Sequence, residues 1–68
     1  MPTTILIVED EILIAFEMEM VIEDLGYRSA GIADDMHSAL KRASSEIDVA
    51  LVDGQGRVEL IPNAFGEM

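Results

Sequence analysis

The stretch that decides the fold is Asp48-Val49-Ala50-Leu51-Val52-Asp53, in which four consecutive apolar residues stand between two aspartates. A second run of this kind near the start of the chain, Ile5-Leu6-Ile7-Val8, is followed by Glu9 and Asp10. Neither run alternates apolar with polar residues, which is typical of strands that are covered on both faces, as in a parallel sheet. Each predicted strand therefore ends in carboxylates.

The segment between these runs has the pattern of two helices and one weaker strand. A helix is predicted from Glu11 to Leu25, with Asp10 as its N-cap and Gly26 as its C-terminal stop. Its apolar face, which we expect to point inward, consists of Ile14, Met18, Val21, Ile22 and Leu25. The stretch 27–33 predicts a strand, and Gly31 within it favours a position at the sheet edge. A second helix is predicted at about residues 36–45, capped by Asp34 or Asp35.

The order strand, helix, strand, helix, strand predicts an α/β fold, a doubly wound parallel sheet of the flavodoxin type with strand order 2-1-3 and two helices. We assign this domain to residues 1–53. From Gly54 onward the pattern breaks, and residues 54–68 are expected to form an irregular C-terminal tail. The third strand would then be an unpaired apolar edge, so we expect that the chain either self-associates through it or is poorly stable alone. The alternative is that residues 58–61 fold back and cover this edge.

A second apolar line on the first helix has two interpretations. It consists of Leu13, Phe16 and Met20. It is either ordinary partial exposure beside the core or an oligomer interface, where Phe and Met are favoured.

Composition restricts the class of partner. Fourteen acidic and four basic residues give a net charge of −10, which disfavours nucleic acid and anionic membranes because both are bound through clustered Lys and Arg. The same charge favours a hard cation such as Mg²⁺ or a basic protein surface. The first residues lack a basic signal-peptide region, and no apolar run approaches the roughly 20 residues of a membrane span. The sequence therefore predicts a cytoplasmic protein.

The predicted topology brings three acids together. In the order 2-1-3 the first and third strands are neighbours, and their C-terminal ends form the switch point at which such sheets bind ligands. Glu9, Asp10 and Asp53 stand at that point. Neighbouring carboxylates repel one another unless a cation joins them, which favours a Mg²⁺ site, and a carboxylate beside the metal can act as a nucleophile toward a phosphoryl group. The alternative is that each acid only caps a helix or faces solvent.

The chain resembles the receiver domain of bacterial two-component response regulators in three segments. They are Ile5-Leu6-Ile7-Val8-Glu9-Asp10-Glu11, Leu25-Gly26-Tyr27 and the run that ends at Asp53. The resemblance covers residues 4–53. It implies a non-enzymatic signalling domain in which Asp53 accepts a phosphoryl group from a histidine kinase or phosphotransfer protein. It also implies that Glu9, Asp10 and Asp53 hold Mg²⁺, with the backbone carbonyl of Gln55 as a further ligand.

The sequence departs from the receiver pattern after Asp53. The residues Gly54-Gln55-Gly56-Arg57 do not match the family loop, and the family's phosphoryl-sensing Ser or Thr and its Lys have no counterpart that can be assigned. We therefore expect truncation to impair phosphorylation-driven switching. Two alternatives remain: a receiver-like interaction or dimerisation module without phosphotransfer, and a coding region cut or shifted near Asp53.

Overall fold

The structure is a computed structural model that describes residues 2–42, 46–54 and 57–62. Its elements in chain order are β1 (Thr4–Val8), α1 (Ile12–Asp24), β2 (Arg28–Ala33), α2 (Met36–Arg42), β3 (Val49–Gly54) and β4 (Arg57–Pro62). The described strands form one sheet in the order β2-β1-β3-β4, and β1 pairs in parallel with both β2 and β3. The predicted α/β fold with strand order 2-1-3 is therefore confirmed.

The central strand β1 forms the middle of a core with two layers. Successive side chains of a strand point to opposite faces of the sheet. On one face, Ile5 and Ile7 pack with Ala15 and Ile22 of α1. On the other face, Leu6 and Val8 pack with Ala33, Ala39 and Ile47, so that α2 covers this side. The uninterrupted apolar run of β1 follows from this burial on both faces.

The inward face of α1 differs from the prediction. Ala15 and Ile22 are its buried residues, whereas Ile14, Val21 and Leu25 are 37%, 56% and 68% exposed. The reason is the position of the helix: α1 packs over β1 and β2, and none of its Cα atoms lies within 8 Å of β3 or β4. On the side of α1 that points toward β3, Met18, Val49 and Leu51 pack against the buried cluster, but the described residues place no second helix beside α1.

The helix ends are partly as predicted. Asp35 caps α2, because its Oδ1 accepts a hydrogen bond from the backbone N–H of Ser38 at 2.7 Å. Gly26, with φ of 94°, follows the end of α1 as expected. The prediction of Asp10 as the N-cap of α1 is wrong, since Glu11 holds that position without a side-chain cap.

Strand β4 overturns two expectations. It pairs antiparallel with β3, with Ala50 opposite Ile61 and Leu51 opposite Leu60. The third strand is therefore not an unpaired edge, and residues 57–62 belong to the sheet rather than to an irregular tail. The pairing satisfies backbone N–H and C=O groups that β3 would otherwise leave open. Residues 63–68 lie outside the described part of the chain.

No helix in the described ranges is both long enough and apolar enough to cross a bilayer.

Edge strand β2 contains a bulge that the side chain of Arg42 covers. Three residues of β1, from Ile5 to Ile7, stand opposite four of β2, from Ser29 to Ile32. Gly31, with φ of 112°, lies in this bulge. The Arg42 guanidinium donates to the carbonyl oxygens of Ala30, at 3.5 Å, and of Ile32. A long cationic side chain thus blunts one edge of the sheet.

Gly31→Ala is expected to cost about 1–3 kcal/mol of unfolding free energy, because alanine rarely adopts a positive φ and the added Cβ would displace the Arg42 guanidinium from the carbonyl oxygens of the bulge. Gly26→Ala is the matched control, since Gly26 also has positive φ but has no atom within 4 Å of the added Cβ. Urea denaturation followed by circular dichroism measures both. A cost at Gly31 no larger than at Gly26 would contradict the close packing of Arg42 on the bulge.

Candidate functional site

The ends of β1 and β3 bring two acids to the same edge of the sheet. The last residue of β1, Val8, pairs in register with Val52. Glu9 and Asp53 each follow one member of this pair. The backbone N–H of Glu9 donates to the carbonyl of Ala33 at 2.9 Å, which continues the pairing with β2 beyond the end of β1. Glu9 therefore lies at the centre of the C-terminal edge, where open α/β sheets bind ligands.

The three predicted acids differ in exposure. Glu9 is only 6% exposed, Asp53 is half-buried and Asp10 is exposed. A carboxylate as buried as Glu9 needs hydrogen bonds or a cation to remain charged. Its Oε1 accepts one such bond from the backbone N–H of Glu11, at 2.9 Å. Glu9 thus also binds the N-cap residue of α1, a contact that the sequence did not predict.

The surroundings of Glu9 act on its pKa in opposite directions. The strongest influence is the Glu11 N–H, which stabilises the carboxylate and lowers the pKa of Glu9. Burial raises it, and the nearby carboxyl groups of Asp10 and Asp53 raise it further. The net result is a pKa of Glu9 above its ordinary value of 4.5. A neighbouring positive charge would favour the ionised form of Glu9.

These residues fit a hard cation by their chemistry. Glu9, Asp10 and Asp53 offer carboxylate oxygens, the donors that Mg²⁺ prefers, and two of them act electrostatically on the third. Within the described ranges, however, no three acidic or imidazole side chains converge closely enough to form a finished metal site. Gln55, the predicted carbonyl ligand, lies outside the described residues. The structure therefore brings Asp10 and Asp53 each near Glu9 without assembling a ligand cage.

A shallow depression of about 510 Å³ opens beside Glu9 and Asp10. Its walls come from Ile12 and Phe16 of α1 and from Ser38 and Arg42 of α2. Phe16, which belongs to the second apolar line of α1, therefore lies beside the acids. The sequence pattern alone did not predict this position. No feature of the sequence indicated that Arg42 would lie here.

The hydroxyl of Ser38 is already engaged in this depression. It donates to Oδ1 of Asp34 at 2.9 Å, while the backbone N–H of the same residue is bound by Asp35. The Ser38 backbone N–H is the main reason that the pKa of Asp35 lies below its ordinary value. Asp34 and Asp35 therefore order the β2–α2 connection, and the acids at the ends of β1 and β3 are the ones that remain for ligand chemistry.

The fold and the acid-bearing strand ends together define a small α/β domain that is compatible with part of a receiver-like fold. The chain is similar to the Phyllosphere-induced regulator PhyR of Methylorubrum extorquens, with 37% identity over 68 aligned residues. The alignment covers 90% of this chain and 26% of the relative, so the chain spans about a quarter of the length of that regulator. Similarity to a regulator agrees with the receiver resemblance at the level of a receiver-like domain.

No protein-family model matches the chain, and no solved structure matches it.

Proposed function

We propose that this chain is a receiver-like signalling domain in which Asp53 accepts a phosphoryl group. The observation that carries the proposal is the pairing of Val8 with Val52, which sets Glu9 and Asp53 at adjacent strand ends. At this distance Asp53 acts on Glu9 and helps to raise its pKa. The similarity to a regulator over 90% of the chain agrees with a role in regulation.

The proposed reaction is a phosphoryl transfer from a histidine kinase or a phosphotransfer protein. A carboxylate oxygen of Asp53 attacks phosphorus, a P–O bond forms, and the P–N bond to the donor histidine breaks and returns its electron pair to the imidazole. Glu9, Asp10 and Asp53 would hold Mg²⁺, with the backbone carbonyl of Gln55 as the further ligand that the resemblance implies. The metal supplies positive charge that offsets the negative charge of the transferring group. Buried Glu9 orients the site through its bond to Glu11.

Asp53→Asn is expected to abolish phosphorylation, because the amide offers no carboxylate nucleophile. The test incubates the purified chain with acetyl phosphate and Mg²⁺ and measures the mass gain of one phosphoryl group. The matched control is Asp24→Asn, which changes an exposed aspartate at the end of α1 and should keep the full gain. A wild-type chain that gains no phosphoryl group, or an Asp53→Asn chain that does, would overturn the proposal.

A second function, a receiver-like interaction module without phosphotransfer, is favoured by one observation. The residues Leu13, Phe16 and Met20 of α1 are 75%, 50% and 63% exposed, as an interface would require. Self-association through α1 therefore stays a prediction. The prediction of association through the edge of the third strand is wrong, since β4 covers that edge. If Asp53→Asn leaves every partner interaction unchanged, the interaction module is the better description.

A further inference from the structure

We propose that the uncovered face of β3 and β4 beside α1 is a docking trough for an amphipathic helix with basic flanks, supplied by a partner protein. This inference goes beyond the acid site, because it concerns a different surface and does not depend on phosphorylation of Asp53. It starts from the position of α1 over β1 and β2: within the described ranges no helix lies over the β3 and β4 half of that sheet face.

The floor of the trough is a continuous apolar surface. Strand alternation and the β3–β4 register place Val49, Leu51, Val58, Leu60 and Pro62 on the same face as α1. Val58 and Leu60 are 61% and 67% exposed. The opposite face of β4 presents Arg57, Glu59 and Ile61, so it lacks a comparable apolar run. On the opposite face Ile61 is 39% exposed, so the larger part of the exposed apolar surface of β4 lies on the side that already carries one helix.

One wall of the trough is the side of α1 that points toward β3. The hydroxyl of Ser29 in β2 donates to the Glu19 carboxylate at 2.6 Å, which fixes the β2 side of the helix. At 100° per residue, the opposite side carries the exposed residues Ile14, Val21 and Leu25. These are three of the five positions that the sequence pattern marks as an inward face. The pattern therefore agrees with a helix that is buried on this side when the occupant is present.

The dimensions match a helix. Six strand residues at about 3.3 Å each make the floor about 20 Å long, close to the length of the 13-residue α1. Two strands spaced at about 4.8 Å extend the sheet by roughly 10 Å beyond α1, which is one helix diameter. A helix packed beside α1 at the usual separation of about 8–10 Å would cover the floor.

Charge decides which kind of helix fits. Glu17 lies on the exposed rim of α1, about 40° around the helix from the wall residue Val21, and Asp53 lies at the end of the floor. The helix α1 contains four acids and no base. The chain's bases, Arg28, Lys41, Arg42 and Arg57, lie on β2, α2 and the other face of β4. A second copy of this chain would place its own acids, as part of a net charge of −10, against this acidic rim. A helix with Lys or Arg on its flanks complements it.

The test uses a synthetic helix as the probe. A fluorescent peptide of Leu and Lys, with Leu at i, i+3, i+4 and i+7, is titrated with the full chain at physiological salt, and anisotropy reports binding. We expect binding about tenfold tighter than for a shuffled peptide of the same composition, because only the helical pattern presents an apolar face. A Leu and Glu peptide of the same pattern should not bind.

Two exposed leucines provide matched variants. Leu60→Gln changes the floor at a residue that is 67% exposed, and Leu13→Gln changes the far side of α1 at a residue that is 75% exposed. We expect Leu60→Gln to weaken peptide binding about tenfold and Leu13→Gln to leave it unchanged. Val21→Gln tests the wall independently and should act like Leu60→Gln. Circular dichroism checks that each variant folds.

Three results would each overturn the proposal. Equal binding of the shuffled peptide would mean that charge alone attracts it. An equal effect of Leu13→Gln and Leu60→Gln would mean that the trough is not the binding surface. Sedimentation showing a dimer of the free chain that Leu60→Gln dissociates would identify a second copy as the occupant.

Discussion

Ile7→Ala is expected to lower the free energy of unfolding by about 2–5 kcal/mol, the usual cost of truncating a large buried aliphatic side chain. Ile7 is 0% exposed and lies in the central strand, where it packs between the sheet and α1. A core of this size rarely supplies more than about 3–5 kcal/mol of net stability. The substitution therefore removes most of the stability of the domain. Urea denaturation followed by far-ultraviolet circular dichroism is the measurement.

Ile12→Ala is the control for this loss. It removes the same atoms from a residue at the start of α1 that is 54% exposed, so we expect a change within about 0.5 kcal/mol. If the two variants lose the same stability, β1 is not the centre of the core. If the Ile7→Ala variant is already unfolded without urea, the substitution has removed the whole free energy of unfolding of the domain. The upper part of the expected range of about 2–5 kcal/mol would have this result.

The strands of the parallel sheet were predictable because their sequence signal is local. The apolar runs of β1 and β3 have no polar alternation, which is typical of strands inside a parallel sheet, although β1 is buried on both faces and β3 is only half-buried. Gly31 marked β2 as an edge strand, and the structure places it at the sheet edge with a bulge at this glycine. Right-handed crossovers between parallel strands then leave few arrangements, and the order 2-1-3 follows.

Strand β4 was predictable only as an alternative, in which residues 58–61 cover the edge of the third strand, because its local signals conflict. Val58 to Ile61 has the aliphatic residues of a strand, but Gly54 and Gly56 before it and Pro62 after it are typical of a break. The structure resolves the conflict by placing this segment at the sheet edge, where proline is tolerated and one side of the strand needs no partner. Long-range pairing with β3 therefore decides the structure of this segment.

The inward face of α1 shows a different limit. Helical periodicity identifies which side of a helix is apolar, but it does not identify what covers that side. Ile14 and Val21 belong to the apolar side and remain exposed because, in the part of the chain that the structure describes, no helix lies above the neighbouring half of the sheet face. This mismatch between pattern and burial is the reason that we infer a missing occupant.

The acid site was predictable in its location and not in its internal contacts. Topology alone brings Glu9 and Asp53 to one edge of the sheet. The hydrogen bond from the Glu11 N–H to Glu9 depends on the local path of the chain into α1, and the apolar-acid pattern contains no information about it. The same is true of Arg42, whose position depends on the bulge in β2.

Glu9→Gln is expected to raise the stability of the metal-free domain and to weaken its stabilisation by Mg²⁺. The pKa of Glu9 in the folded chain is raised above its ordinary value of 4.5, so the folded state binds this proton more tightly than the unfolded state. The contribution of Glu9 therefore favours the fold below about pH 4.5 and is lost as pH rises through the folded pKa. At neutral pH the ionised carboxylate opposes folding. Glutamine keeps an acceptor for the Glu11 N–H without the charge, so Glu9→Gln should raise the melting temperature of the metal-free protein at pH 7.

Added Mg²⁺ should reverse this order. If Glu9, Asp10 and Asp53 bind the ion, free Mg²⁺ at about 100-fold above its dissociation constant stabilises the wild-type fold by about 2.7 kcal/mol. Glu9→Gln removes one carboxylate ligand and should lose most of this gain, whereas Glu17→Gln, on the exposed side of α1, should keep it. Thermal melts at pH 7 with and without Mg²⁺ measure all three proteins. Equal stabilisation of the wild type and Glu9→Gln would show that the ion binds elsewhere, because a site built on Glu9 cannot keep its affinity without the buried charge.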